Sequence, residues 1–297
     1  GGVAGTLKSI GYAIKLINPT RCVVIFDGEG GSVKRRKIYP EYKQHRKSTV
    51  RLNRTYEELS EKDSEEANKV KQLVRLSEYL QLLPVNILIA DGIEADDSIA
   101  YCANEYFKES MVYIMSSDKD FLQLVTERVK VWSPSKKKIY GPAEVLREYE
   151  IHPANFALFR AMDGDASDNI DGIKGIGIKT VVKHFPFLSE PIPRDVQYVI
   201  EYATKNQGKY KIYDKVIEGA KILERNYALM QLRESIASAM SQRHISDCLT
   251  KSKIPRLERY GLVKLITEDK MWNNLPNHQI WLNETFSGLD LMAKSQL

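Results

Sequence analysis

The stretch Val85-Asn-Ile-Leu-Ile-Ala-Asp-Gly-Ile-Glu-Ala-Asp-Asp97 decides the fold class. A mostly apolar run of strand length, rich in β-branched residues, meets the turn pair Asp91-Gly92. A segment with Ile99, Cys102, Ala103 and Tyr106 on one helical face follows. The same unit occurs at Cys22–Phe26 before Asp27-Gly28, and at Met111–Met115 before Ser116-Ser117-Asp118. Strands alternating with helices predict an α/β fold, a mostly parallel central sheet flanked by helices.

Working outward, Leu7, Ile10, Ile14 and Ile17 predict an opening helix that Asn18-Pro19 ends. Tyr56–Leu83 reads as a long polar-faced helical stretch, and Phe121, Leu122 and Val125 as a short helix. Val129–Trp132 reads as a further strand, with Lys136–Lys138 in a basic turn. Helices are predicted over Pro142–Tyr149, Pro153–Met162 and Ile178–His184, and the tail from Tyr210 reads as helical and polar. The expected domains are an α/β domain over 1–150, a second region over 151–225 and a mainly helical region over 226–297.

The chain has 297 residues, 43% of them hydrophobic and 28% charged, the balance of a globular protein with a sizeable core. No apolar run approaches the roughly 18 residues of a membrane span, so no membrane association is expected. Cys22, Cys102 and Cys248 are far apart and odd in number. That argues against a disulfide framework and a cysteine zinc site, and for a reducing cytoplasm. The net charge of +5 is mild, but its distribution is not. Nine cations, Lys34, Arg35, Arg36, Lys37, Lys43, Arg46, Lys47, Arg51 and Arg54, face one Glu41 in this segment, with Tyr39 and Tyr42 between them. A run of charge is usually a solvated face. Interleaved tyrosines suit nucleic acid instead, since bases stack on rings while cations hold phosphates.

The acids carry the chemistry. Asp27 follows the first strand, Glu94, Asp96 and Asp97 the second, and Asp118 and Asp120 the third. The carboxyl ends of parallel strands form the crevice where ligands bind. Any one of these residues could merely cap a helix or sit in a turn. Six at successive strand ends, with Asp165 and Asp168 further on, require charge compensation. Oxygen donors without nearby histidines favour magnesium or manganese over zinc. Two-metal acidic sites hydrolyse phosphodiesters. The chain has no Gly-x-Ser-x-Gly elbow and no phosphate loop of the ATPase type. Asp171–Lys179 places Gly172, Gly175 and Gly177 in a turn between two helices, flanked by Lys174 and Lys179, a ready phosphate contact or a plain helix–helix turn.

Five stretches, in order, resemble the 5′-nuclease superfamily of bacteriophage-type flap endonucleases and the 5′→3′ exonuclease domain of bacterial DNA polymerase I. They are Val23–Gly28, Tyr39–Arg46, Gly92–Asp97, Ser116–Phe121 and Gly164–Thr180. The resemblance implies that Asp27, Glu94 and Asp96 hold the catalytic metal. It gives Asp97, Asp118, Asp120, Asp165 and Asp168 to a second Mg2+ or Mn2+ ion. Lys43 and Arg46 become the cations on the scissile phosphate, borne on a helical arch at about 31–83. Lys34, Arg35, Arg36, Lys37, Tyr39, Tyr42 and Lys47 become DNA contacts. The glycine segment becomes a helix–three-turn–helix element gripping duplex, with K+ on its carbonyls. The implied protein is a monomer in a bacterial or phage-infected cytoplasm. It would cut 5′ flaps and 5′ ends of DNA and RNA–DNA hybrids, in primer removal alongside replication proteins. Members begin with a strand carrying another metal-binding Asp, and Gly1 aligns beyond it, so the sheet is expected to lack that strand by truncation or natural variation. A catalytically silent DNA-binding subunit of the same fold, and a PIN-type ribonuclease, are the competing readings.

Overall fold

A computed structural model describes residues 2–44, 62–234, 237–275 and 277–296. The chain opens with α1 (Gly2–Ile17), β1 (Val23–Asp27), α2 (Val33–Ile38), α3 (Lys62–Gln81), β2 (Asn86–Ala90) and α4 (Ala95–Tyr101). Next come β3 (Val112–Met115), β4 (Val129–Ser133), β5 (Lys138–Tyr140), α5 (Pro142–Tyr149), α6 (Phe156–Asp163), β6 (Gly164–Asp165), β7 (Ile170–Asp171) and α7 (Ile178–His184). Helices close it: α8 (Val196–Lys205), α9 (Lys211–Glu218), α10 (Ala220–Met230), α11 (Ala239–Lys251), α12 (Arg259–Glu268) and α13 (His278–Ser295). This is the expected mixed α/β fold. No helix among the described residues is long and apolar enough to cross a membrane.

The sheet departs from expectation. β1 pairs with β2, while β3, β4 and β5 form a separate sheet. β3 and β4 are parallel, with Val112 opposite Val129, and β4 and β5 are antiparallel. No described strand bonds to both β2 and β3, so the one continuous sheet expected is divided. β5 is an addition, its three residues too short for an alternation to register.

The domain boundaries also differ. The chain divides into two compact units, each interrupted in sequence: 1–26, 47–89 and 244–297 in one, and 27–46 and 90–243 in the other. The first unit packs Leu7, Ile10 and Ile14 of α1, Leu76, Tyr79 and Leu80 of α3, and Leu282, Phe286 and Leu289 of α13 into one core. The tail therefore completes the core of the opening helix instead of forming a region of its own. Asn18 ends α1 in the left-handed conformation, at φ 49°.

The second unit centres on β3, β4, α6, α8 and α10, with Ile114, Val131, Phe156, Val199 and Leu223 buried. α5 starts at Pro142, where Glu144 caps by accepting from Gly141 N at 3.0 Å, and stops at Glu150, at φ 56°. The short helix expected at Phe121–Val125 is a 3₁₀ turn, Lys119–Leu124, capped by Asp118. α4 runs on into a π-helical turn, Cys102–Tyr106, where one α-helix was expected.

The segment between α6 and α7 folds on its glycines. Gly164 has φ 78°, and a Cβ there would lie 2.3 Å from Gly172 N. A Cβ on Gly172 would lie 2.1 Å from the Asp163 carbonyl, whereas one on Gly177 meets nothing within 4 Å. Gly172→Ala should therefore cost at least about 1–3 kcal/mol, since backbone must shift to admit the methyl. Gly177→Ala should stay within about 0.5 kcal/mol of wild type. Urea unfolding of the two variants measures the difference; equal losses would show that the close packing is not what Gly172 serves.

Candidate functional site

The site lies within the second unit and is built around the start of α4. The chain turns at Gly28 directly against β2's end, where a Cβ would lie 2.2 Å from the Ala90 carbonyl. That approach brings Asp27 Oδ1 to accept from Ala95 N at 2.8 Å. Glu94 is the residue before the helix and is 5% exposed, and Asp97 in the first turn is 2% exposed. Two carboxylates so deeply placed need partners.

The basic segment supplies them. Arg35 on α2 is 3% exposed. It donates to both Asp97 oxygens, at 2.6 and 2.9 Å, to Glu94 Oε2 at 3.2 Å and to the Leu229 carbonyl at 2.8 Å. Burial works against its charge, but Asp97 and Glu94 outweigh it and raise the Arg35 pKa. The structure thus corrects two expectations: Arg35 is no surface contact for DNA, and both oxygens of Asp97 accept from its guanidinium. Tyr42 is corrected likewise. Its ring is buried beside Ile170, Leu229 and Met230, not available for stacking, and its hydroxyl donates to Glu94 at 2.9 Å. Burial first, and then the Glu94 charge, raise the Tyr42 pKa. Tyr39 is half-buried, with the Arg225 guanidinium 4.2 Å from its ring centroid.

Lys43, at φ 56°, turns into the same cluster, its Nζ 2.7 Å from Glu94 Oε1. Its backbone N donates to the Asp168 carbonyl at 2.8 Å, and Tyr42 Oη reaches Asp168 Oδ2 at 3.4 Å. These contacts tie the Asp165–Asp168 segment to the basic segment. Arg36 and Lys37 are exposed and Lys34 half-buried. Arg46 and Lys47 lie outside the described residues.

A second buried guanidinium, absent from the sequence reading, joins Asp120 and Asp165. Arg160 on α6 donates to Asp120 at 2.6 Å, to Asp165 at 2.7 Å and to the Gly164 carbonyl at 3.1 Å. Burial, only partly countered by Arg160, pushes the Asp120 carboxyl up to about 6. For Asp165 burial is outweighed by Ser167 and Arg160, which hold it below its ordinary value. The one available signal for Arg160 was a lone cation inside Phe-Ala-Leu-Phe-Arg-Ala-Met, a run with no apparent polar face.

Asp96 and Asp118 are different. Neither forms an ion pair with a cation among the described residues. Burial, and next the Asp118 charge, push the Asp96 carboxyl up to about 7, with Lys43 only partly opposing them. Among the described residues no three of His, Cys, Asp and Glu stand close enough together to hold one ion in this arrangement. Lys174, Gly175 and Lys179 are exposed, Gly177 is the residue before α7, and Gly175 has φ 75°. The glycine turn thus keeps open space at Gly177, while a Cβ on Gly175 would lie 2.7 Å from Lys215 Nζ and Gly172 is spent on packing.

The model of the 5′-3′ exonuclease N-terminal resolvase-like domain matches residues 1–150. A 5′-3′ exonuclease of Aquifex aeolicus is 33% identical over 181 residues, 61% of this chain and 57% of that protein. The thermostable DNA polymerase I of Thermus aquaticus is 34% identical over 182 residues, 61% of this chain and 20% of that one. The match thus spans less than three fifths of the Aquifex protein. Among solved structures, the bacteriophage T5 flap endonuclease in a pseudo-enzyme–product complex with DNA and metal ions has a TM-score of 0.66 at 23% identity, covering 84% of this chain and 90% of that one. T5 5′-exonuclease with bound zinc gives 0.61 at 21% identity, over 90% and 89% of the two chains. At such identities the likeness is one of fold.

Arg35→Met should be strongly destabilising, by about 3–5 kcal/mol, because it leaves Glu94 and Asp97 buried without their guanidinium. Urea unfolding of the full chain reads this directly. A loss under about 1 kcal/mol would mean that the two acids find water or another cation.

Proposed function

Because the chain belongs to the 5′-3′ exonuclease family, we propose that it is a structure-selective, divalent-metal-dependent 5′ nuclease. Its substrates in this reading are 5′ flaps and 5′ ends of DNA, and RNA–DNA hybrids. The observation that carries the proposal is the Asp96–Asp118 pair: like charges left without an ion pair beside six further acids, four of which two arginines already hold.

The donor set fits a hard divalent cation. Every candidate ligand is a carboxylate oxygen, and the burial and mutual repulsion that raise Asp96 are what a cation at that position would relieve. Asp27, Glu94 and Asp96 would hold one ion, and Asp118, Asp120, Asp165 and Asp168 a second, after drawing closer together than they stand in this arrangement. When bound, such ions acidify water and offset charge on the phosphate. The remaining work belongs to the chain. Arg35 holds Glu94, and Arg160 holds Asp120 and Asp165, which limits how far these three acids can move. Lys43, on Glu94 in this structure, exchanges that partner for the scissile phosphate and stabilises the charge that develops there. Water attacks phosphorus and the 3′-oxygen leaves, giving a 5′-phosphate product. Arg36 and Lys37, exposed on α2, meet backbone phosphates, and so do the open amides at Gly175 and Gly177, beside Lys174 and Lys179. Recognition through phosphates and shape makes cutting depend on structure, not base sequence.

Labelled 5′-flap DNA, plain duplex and single-stranded RNA, each with magnesium or EDTA, test this. Magnesium-dependent cutting of the flap is expected. Asp96→Asn should abolish single-turnover cleavage while flap binding in calcium is kept or tightened, as a repulsive charge is removed. Lys43→Ala should slow cleavage by about 10²–10³-fold and weaken binding much less. Full cleavage by Asp96→Asn would sink the reading. A wild-type chain that binds flaps but never cuts them would establish the silent DNA-binding subunit in its place.

A further inference from the structure

The basic turn after β4 and the serines after β3 take no part in the site described above. Yet they face one recess. It opens at the carboxyl ends of the parallel pair β3 and β4, beside Asp118, and Ser116, Ser117, Lys119, Lys136 and Tyr149 line it. Its chemistry follows from an inventory of protons.

Ser116 Oγ accepts from Asp118 N at 3.1 Å, and Ser117 Oγ from Ser135 N at 3.3 Å. Both hydroxyls therefore spend an acceptor position and keep their own proton to give. The Lys136 ammonium has three protons; one goes to Glu148 and one to the Tyr149 hydroxyl at 3.1 Å. The third goes to the Tyr140 hydroxyl, while Tyr149 keeps its own proton. Lys119 is exposed and makes no hydrogen bond or ion pair with a described residue. Four groups, Ser116, Ser117, Lys119 and Tyr149, can donate into the recess, and Asp118 is the carboxylate in its lining.

The frame around these donors is fixed. Glu148 on α5 bridges Lys136 and Lys138 and also accepts from Tyr140 at 2.8 Å. The Lys138 ammonium stands 4.5 Å from the Tyr140 ring centroid. The turn is thus clamped to α5 and need not be ordered by a ligand. Four donors, the Lys119 ammonium among them, select an anion rich in acceptor oxygens. Phosphate has that character, and ammonium and hydroxyl donors are its ordinary partners.

We infer that this recess is a subsite for a non-scissile phosphodiester of the bound nucleic acid. The inference rests on the nuclease reading in one respect: Asp118, which would repel the phosphate, is among the acids assigned to a divalent ion. With that charge offset, the recess holds the strand beside the acids that act on it.

The test is flap-DNA binding to the full chain in calcium, by fluorescence anisotropy, from about 50 to 200 mM salt. Lys119→Gln, at an exposed position, should weaken binding roughly 3- to 10-fold and flatten the slope of log K against log salt by about 0.7–0.9, one phosphate contact. Ser117→Ala should weaken binding about 5-fold with the slope unchanged, because it removes a neutral donor. Wild-type affinity and slope in both variants would overturn the assignment. So would a thymidine 5′-monophosphate that binds wild type but not Lys119→Gln while the flap-DNA slope stays the same, since the pocket would then serve a free nucleotide. Wild-type cleavage of the same flap in magnesium is followed in parallel. A flattened slope without wild-type cleavage supports the subsite and removes the nuclease reading; cleavage with an unaltered slope does the reverse.

Discussion

Repulsion among carboxylates is the constraint on which the second unit depends. Two unit charges 4 Å apart interact by about 1 kcal/mol in water but about 4 kcal/mol at the effective dielectric of a protein site. Glu94 and Asp97 are almost wholly buried, and Asp120 and Asp165 are largely withdrawn from water. They can be assembled only if cations come with them, and two guanidiniums do. Each takes acids that the chain brings from different elements or opposite ends of one segment: Arg35 on α2 serves α4, and Arg160 on α6 serves the turn after β3 and the β6–β7 hairpin. The fixed fork of arginine suits this, because each nitrogen addresses a separate oxygen.

The same constraint explains the local backbone. An acid cluster at the start of α4 requires the first strand's turn to approach β2 closely, and only glycine at position 28 permits the contact with Ala90. Gly164 and Gly172 do the same for the hairpin carrying Asp165 and Asp168. A glycine in the motif is thus not by itself a ligand contact. Those that pack backbone on backbone place the acids, and those in open space, such as Gly177, leave amides free.

Much of this was legible beforehand. α5 and α7 begin and end where Pro142, Gly177 and the apolar spacing put them, because caps and periodicity are local. The acids at strand ends were legible as a set for the same reason. The interleaved units were not, since the partnership of α1 with α13 depends on contacts more than 250 residues apart, as in the Lys15–Glu284 pair. Arg35 was misread because a lysine- and arginine-rich run looks solvated throughout; which member turns inward is decided by Asp97, 62 residues on. Arg160 was invisible because an isolated cation in an apolar run carries no spacing at all.

The site's balance is incomplete in one direction, and that is its chemical content. Had the fold been selected for stability alone, every acid could share a guanidinium, as Glu94, Asp97, Asp120 and Asp165 do. Asp96 and Asp118 do not, and burial together with the Asp118 charge pushes the Asp96 carboxyl up to about 7. The pair therefore leaves a repulsion at Asp96 that a cation from solution would relieve. Permanent ion pairs set the frame, and Asp96 and Asp118 are among the acids that the two guanidiniums leave unheld.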